Sequence, residues 1–233
     1  MQMLRKPEML RFSGIQNVTI NLPQCAYRSK EKVDRNKNMK KGEIFAHFFT
    51  EIENVLKLVL KAHQEKKQFL QKMMDSPNGP LWQIGKKAKD GRPYVDLNQG
   101  TYLVGLIGLN EAIQFLTGFQ LHENEESFKW GLKTISFLNL KCNDYSKQNN
   151  IKLSIEESPA ESAAGRLAKI DLRGYPVSKE VIKGDISRDQ CYYTNSIHFA
   201  ASADIDLLSR IIKQSKFHPL IKSGAIIHAF VGE

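Results

Sequence analysis

Three short segments place hydrogen-bonding side chains between a strand pattern and a helix pattern: Asn21-Leu22-Pro23, Glu156-Glu-Ser-Pro-Ala-Glu-Ser162 and Tyr193-Thr-Asn-Ser196. In parallel α/β sheets and barrels, ligands gather where strands end and helices begin. Loop side chains converge there, and helix N-termini offer unpaired amides to anions. Ligand binding through Asn21, Ser158, Glu161, Ser162, Thr194, Asn195 and Ser196 is the chemistry these positions permit. Each segment also has a purely structural reading. Asn21 is a turn residue before proline, Ser158 and Glu161 form a plain helix cap, and Asn195-Ser196 is loop hydrogen bonding.

Other chemistries are disfavoured by what the chain lacks. It contains no GxxxxGK[ST], no GxGxxG after a strand, no GxSxG and no HExxH. The six histidines are scattered, and Cys25, Cys142 and Cys191 form no CxxC pair, so neither a metal site nor a disulfide framework is expected. A reducing cytoplasm fits this cysteine usage. No window approaches the roughly 20 apolar residues of a membrane span, so a soluble protein is expected. The 233 residues carry 34 Lys+Arg against 25 Asp+Glu, a net charge of +9, with 41% hydrophobic residues. That composition supports a real core in one domain over 1–233. The basic residues cluster over 28–43 without interleaved aromatics, which reads as a solvated loop or an anion-attracting patch rather than a dedicated nucleic-acid surface.

The elements that must position the three segments follow from periodicity. Residues 15–22 alternate as a strand closed by Pro23, and a long helix is predicted over 44–74. An extended excursion over 76–100 leads into a nearly continuous apolar strand over 102–109. Asn110 caps a short helix over 111–117, and a second long helix covers 124–148. A strand over 151–156 precedes a capping box, Ser158-Pro-Ala-Glu161, which opens a helix over 159–171. Further strands are predicted over 192–199 and 225–231, with a helix capped by Ser202 over 203–214. Five strands separated by helices or long crossovers give an α/β architecture with parallel strands.

Taken together, Gln16-Asn-Val-Thr-Ile-Asn-Leu-Pro23, Gly105-Leu-Ile-Gly-Leu-Asn-Glu-Ala112, Ser154-Ile-Glu-Glu-Ser-Pro-Ala-Glu-Ser-Ala-Ala-Gly-Arg166, Tyr192-Tyr-Thr-Asn-Ser-Ile-His198 and Phe217-His-Pro-Leu220 resemble the anaerobic, class III ribonucleoside-triphosphate reductases. The motifs occur in that family's order and span nearly the whole chain. The resemblance implies a ten-stranded α/β barrel of the ribonucleotide reductase and glycyl-radical enzyme type. The five predicted strands would be one parallel half of it, flanked by the long helices.

The implied activity is oxidoreductase chemistry: radical reduction of ribonucleoside triphosphates to deoxyribonucleotides. By resemblance, Asn21 and Glu161 take the catalytic positions at the ribose. Ser158, Ser162, Thr194, Asn195 and Ser196 are substrate-binding candidates. No cofactor is visible in this chain. The parent family uses a glycyl radical made by an iron-sulfur/S-adenosylmethionine activating enzyme, structural zinc, and ATP or dNTP effectors. Implied partners are the substrate nucleotide, the remaining reductase segments, the activating enzyme and further copies of the chain. The family's finger-loop cysteine has no counterpart in residues 1–14, and Gln24 stands where an Arg is usual. The chain also stops before the family's zinc-binding cysteines and its glycyl-radical site. A fragment, inactive alone, is the resulting expectation. The alternative is a non-catalytic nucleotide-binding or assembly module derived from the same barrel.

Overall fold

The computed structural model describes residues 13–35, 43–157 and 160–228. The first strand, β1 (Gly14–Asn21), runs directly into helix α1 (Leu22–Arg35). Pro23 sits in the first helical turn, where its missing N–H would have no partner anyway, so it opens the helix rather than merely ending the strand. Asn21 Oδ1 accepts from the Gln24 amide at 3.3 Å, which is N-cap geometry. The 28–43 loop reading therefore fails over 28–35, which are helical; residues 36–42 lie outside the described residues. The cause is a short buried stripe, Leu22, Cys25, Ala26, Ser29 and Val33, hidden among charges that pair along the helix, Lys30 with Asp34 at 2.6 Å and Arg35 with Glu31 at 3.3 Å.

Helix α2 (Ile44–Asp75) buries Phe48, Ile52, Leu56, Val59 and His63 at helical spacing. The 76–100 excursion holds one helical turn, α3 (Trp82–Gly85), among turns and bends. Strand β2 (Thr101–Ile107) leads into α4 (Leu109–Thr117), and α5 (Glu125–Asn149) is capped by Asn124, whose side chain accepts from the Ser127 amide. Strand β3 (Lys152–Ile155) precedes α6 (Glu161–Gly174). The capping-box residues Ser158 and Pro159 lie outside the described residues.

The three long strands form a parallel sheet in the order β1-β2-β3. Parallel neighbours need crossovers, and the helices between them supply these. Ile20, Tyr102, Val104, Leu106, Leu153 and Ile155 join the main core with α2, α4 and α5. The opposite face, by strand alternation, carries Asn17, Thr19 and Asn21 beside Leu103, Gly105 and Ile107, with Ser154 next in register. A Cβ on Gly105 would come within 2.4 Å of Asn17 Oδ1, so the glycine makes room for this polar row.

The expected five parallel strands are not found among the described residues. Residues β4 (Lys183–Asp185) and β5 (Gln190–Tyr192) form a separate antiparallel hairpin. Only Tyr192 of the predicted 192–199 strand lies in a strand, because the chain turns at Ser196, whose φ of 46° is left-handed. Tyr193, Ile197 and Phe199 are buried by that turn rather than by a sheet, which is why an apolar pattern imitates a strand. The part of the predicted 225–231 strand that is described, 225–228, has no regular structure; the rest lies outside the described residues. Helix α7 (Leu207–Ser215) is capped by Asp206, which accepts from the Ser209 amide at 2.9 Å, not by Ser202. No described helix is long and apolar enough to cross a membrane.

Candidate functional site

A cavity of about 1300 Å³ opens between α6, the β4–β5 hairpin, residues 193–201 and α7. Glu161, Ser162, Thr194 and Asn195 all line it. Two sequence segments more than 30 residues apart thus meet, and Asn195 Nδ2 lies 3.4 Å from Glu161 Oε1 as its donor. Asn195 Oδ1 is buried and makes no hydrogen bond. Glu161 and Ser162 are exposed in the first turn of α6, where their side chains are accessible to a ligand.

The 193–196 turn is pinned across the end of β2. Gly108 donates to Thr194 O at 2.8 Å and the Ser196 amide to Leu106 O at 3.2 Å. Ser196 is buried and does not line the cavity, so it shapes the turn rather than facing a ligand. Gly108 has φ 75°, and a Cβ there would meet Pro23 Cγ at 2.4 Å, so this close approach requires glycine. Thr194 is held by Glu111 of α4: its amide donates to Oε2 at 3.0 Å and its hydroxyl to Oε1 at 2.6 Å. Burial drives the Glu111 carboxyl above the usual range, and the donors from Thr194 and Asn110 oppose that shift.

Asn21 does not line the cavity. Its Nδ2 donates to Asp171 Oδ2 at 2.8 Å, beside the Gln24 amide group, which donates to Oδ1 at 2.9 Å, and the Tyr193 hydroxyl, which donates to Oδ2 at 3.0 Å. Tyr193 also shares a 3.0 Å hydroxyl contact with Tyr27 and itself lines the cavity. The catalytic pair expected from the sequence is therefore split. Glu161 faces the cavity, and Asn21 reaches its wall only through Asp171 and Tyr193. Arg28 Nη2 donates to Gln24 Oε1 at 2.8 Å, so the guanidinium one turn along braces the amide that holds Asp171. Ser158 lies outside the described residues.

Two residues of this region, Asp171 and Glu111, carry only a weak sequence signal. Asp171 is fully buried on the same α6 face as Ala164 and Ala168, and a carboxylate in that stripe was the available clue. Glu111 is likewise a charged residue within an apolar stretch. No group of three or more described His, Cys, Asp or Glu residues is arranged to hold a metal. Cys25 and Cys142 are buried thiols that burial pushes up to about 12, which disfavours their thiolates.

The model of the anaerobic ribonucleoside-triphosphate reductase family matches residues 4–233. The chain belongs to that family. The reductase of Escherichia coli is 24% identical over 141 residues, 60% of this chain and 18% of that protein. The Haemophilus influenzae reductase is 21% identical over 218 residues, 91% of this chain and 28% of that protein. The chain thus spans less than a third of these curated reductases. The Thermotoga maritima anaerobic ribonucleotide reductase, solved with glycerol in its active site, shares the fold with a TM-score of 0.69 at 19% identity, covering 96% of this chain and 33% of that one. Its complex with dATP and CTP gives a TM-score of 0.68.

Proposed function

We propose that this chain is a substrate-binding segment of an anaerobic ribonucleoside-triphosphate reductase, folded as one domain and forming part of the parallel half of the ten-stranded barrel. The observation that carries the reading is the convergence of Glu161, Ser162, Thr194 and Asn195 on one cavity large enough for a nucleotide. Glu161 accepts from a ribose hydroxyl, and Asn195, hydrogen-bonded to Glu161 in the same lining, offers a second polar contact. Ser162, in the first turn of α6, addresses the nearest phosphate. Ser158 is a further binding position, Ser196 sets the turn, and Asn21 orients Tyr193 in the wall through Asp171.

The family's radical chemistry is supplied by a glycyl radical. Its activating enzyme, zinc and dNTP effectors belong to the complete enzyme, and no described residues here gather as a zinc set. Cytoplasmic deoxyribonucleotide synthesis is the setting. The partners are the other reductase segments and further copies of the chain, a reading supported by the exposed Leu207, Leu208, Ile211 and Ile212 on α7. Anaerobic mixing with those segments and the activating enzyme tests it: deoxynucleotide forms only in the complete mixture. Pieces that never associate would overturn the proposal.

A further inference from the structure

Arg210 of α7 is 7% exposed yet lines the cavity. Its Nη1 donates to Phe199 O at 3.3 Å and its Nη2 to Ala200 O at 3.1 Å. No described carboxylate stands within ion-pair distance of it, and burial lowers its proton affinity with no partner to offset this. A guanidinium has five N–H donors in a planar fork, so two bonds to carbonyls leave most of the fork uncommitted. Keeping a cation out of water without a counter-charge is costly, and an oxyanion in the cavity removes that cost.

The neighbours of Arg210 point the same way. His198, 8% exposed, lines the same wall and stacks on His228 with ring centroids 5.1 Å apart. His198 Nδ1 is buried without a hydrogen-bond partner. Burial is the main cause that pushes the His198 imidazole down to about 4, and the neighbouring His228, Arg210 and His218 add to it. Glu157 faces His198 Nε2 from 3.9 Å but does not line the cavity, and its Oε2 already accepts the Ile226 amide at 2.8 Å.

We propose that Arg210, in the same wall as His198, anchors the outer phosphates of a nucleoside triphosphate held in this cavity. The assignment rests on the nucleotide reading above. It sets the polarity of the bound molecule, with the ribose toward Glu161 and Asn195, the first phosphate at Ser162 and the outer phosphates toward α7.

The test is calorimetric titration of the full chain with CTP, cytidine and inorganic tripolyphosphate, on wild type, Arg210→Gln and Arg210→Lys. Tripolyphosphate competes with CTP, Arg210→Gln weakens both about tenfold or more without changing cytidine binding, and Arg210→Lys keeps most of the affinity. Unchanged tripolyphosphate affinity in a folded Arg210→Gln overturns the anchor. If that variant does not fold, the wild-type histidine NMR spectrum decides, with the His198 signal identified by His198→Gln. Saturating tripolyphosphate shifts it and raises its titration midpoint; an unmoved signal overturns the proposal. CTP binding that ignores Arg210→Gln defeats only the anchor, whereas failure of both CTP and tripolyphosphate to bind defeats the nucleotide reading as well.

Discussion

Asn21 Nδ2 donates to Asp171 Oδ2 at 2.8 Å and thereby ties the end of β1 to α6 across 150 residues of chain. Asp171 accepts three side-chain donors in a fully buried position, from Asn21, Gln24 and Tyr193. Asp171→Asn keeps the shape but replaces one acceptor oxygen with a donor, leaving at least one buried N–H or O–H facing another. The expected loss is about 1–3 kcal/mol in chemical denaturation. Nucleotide affinity should fall with it, because Tyr193 loses its anchor. Wild-type stability in Asp171→Asn would show that the network does not hold the site.

Glu111 serves Thr194 with both oxygens, one for the amide and one for the hydroxyl. Glu111→Gln can keep the amide with its oxygen and donate to the hydroxyl, but it then turns a buried N–H toward Asn110 Nδ2, which donates to Oε1 in the wild type. The same range of loss, about 1–3 kcal/mol, is expected, together with faster hydrogen exchange at the Thr194 amide. Exchange that stays at the wild-type rate would contradict the assigned role of Glu111.

Glu157 and His198 predict a pH signature. Burial pushes the Glu157 carboxyl from 4.5 up to about 7, so the native state holds a proton that the unfolded chain releases, and stability falls as pH rises through that window. His198 is pushed from 6.5 down to about 4, so its contribution runs the other way and stability rises over that range. The two slopes offset each other between about 4.5 and 6.5. Glu157→Gln removes the first and leaves the second. Relative to wild type, the variant should therefore gain far more thermal stability at pH 8 than at pH 4. An equal change in Tm at both pH values would falsify the assignment.

Much of the fold is legible in the sequence where one face is apolar at a fixed period. The helices α2 and α5 and the strands β1, β2 and β3 fall close to their predicted bounds. The reading fails where burial is achieved without regular structure, as at Tyr193, Ile197 and Phe199, and where a helix is masked by paired charges, as over Arg28 to Arg35. Asn110 illustrates a subtler miss. It does not cap α4; it lies inside that helix, fully buried, and accepts from the Leu121 amide at 3.1 Å. At the site, the motif residues Glu161, Ser162, Thr194 and Asn195 were visible as polar groups at strand and helix ends. Asp171, Glu111 and Arg210 were not, because Asp171 depends on Asn21 and Gln24 and Glu111 on Thr194, all more than 80 residues away, and Arg210 on the absence of a described carboxylate.

The central claim is that the cavity under α6 holds a ribonucleoside triphosphate through Glu161 and Asn195. Calorimetric titration of CTP into wild type, Glu161→Ala and Asn195→Ala, with melting curves alongside, addresses it most directly. Glu161 is exposed and Asn195 partly so, so neither change should lower the melting temperature by more than a few degrees. The account predicts saturable CTP binding to wild type and a loss of about tenfold or more in each variant. Absence of CTP binding, or equal affinity in all three proteins, would contradict it.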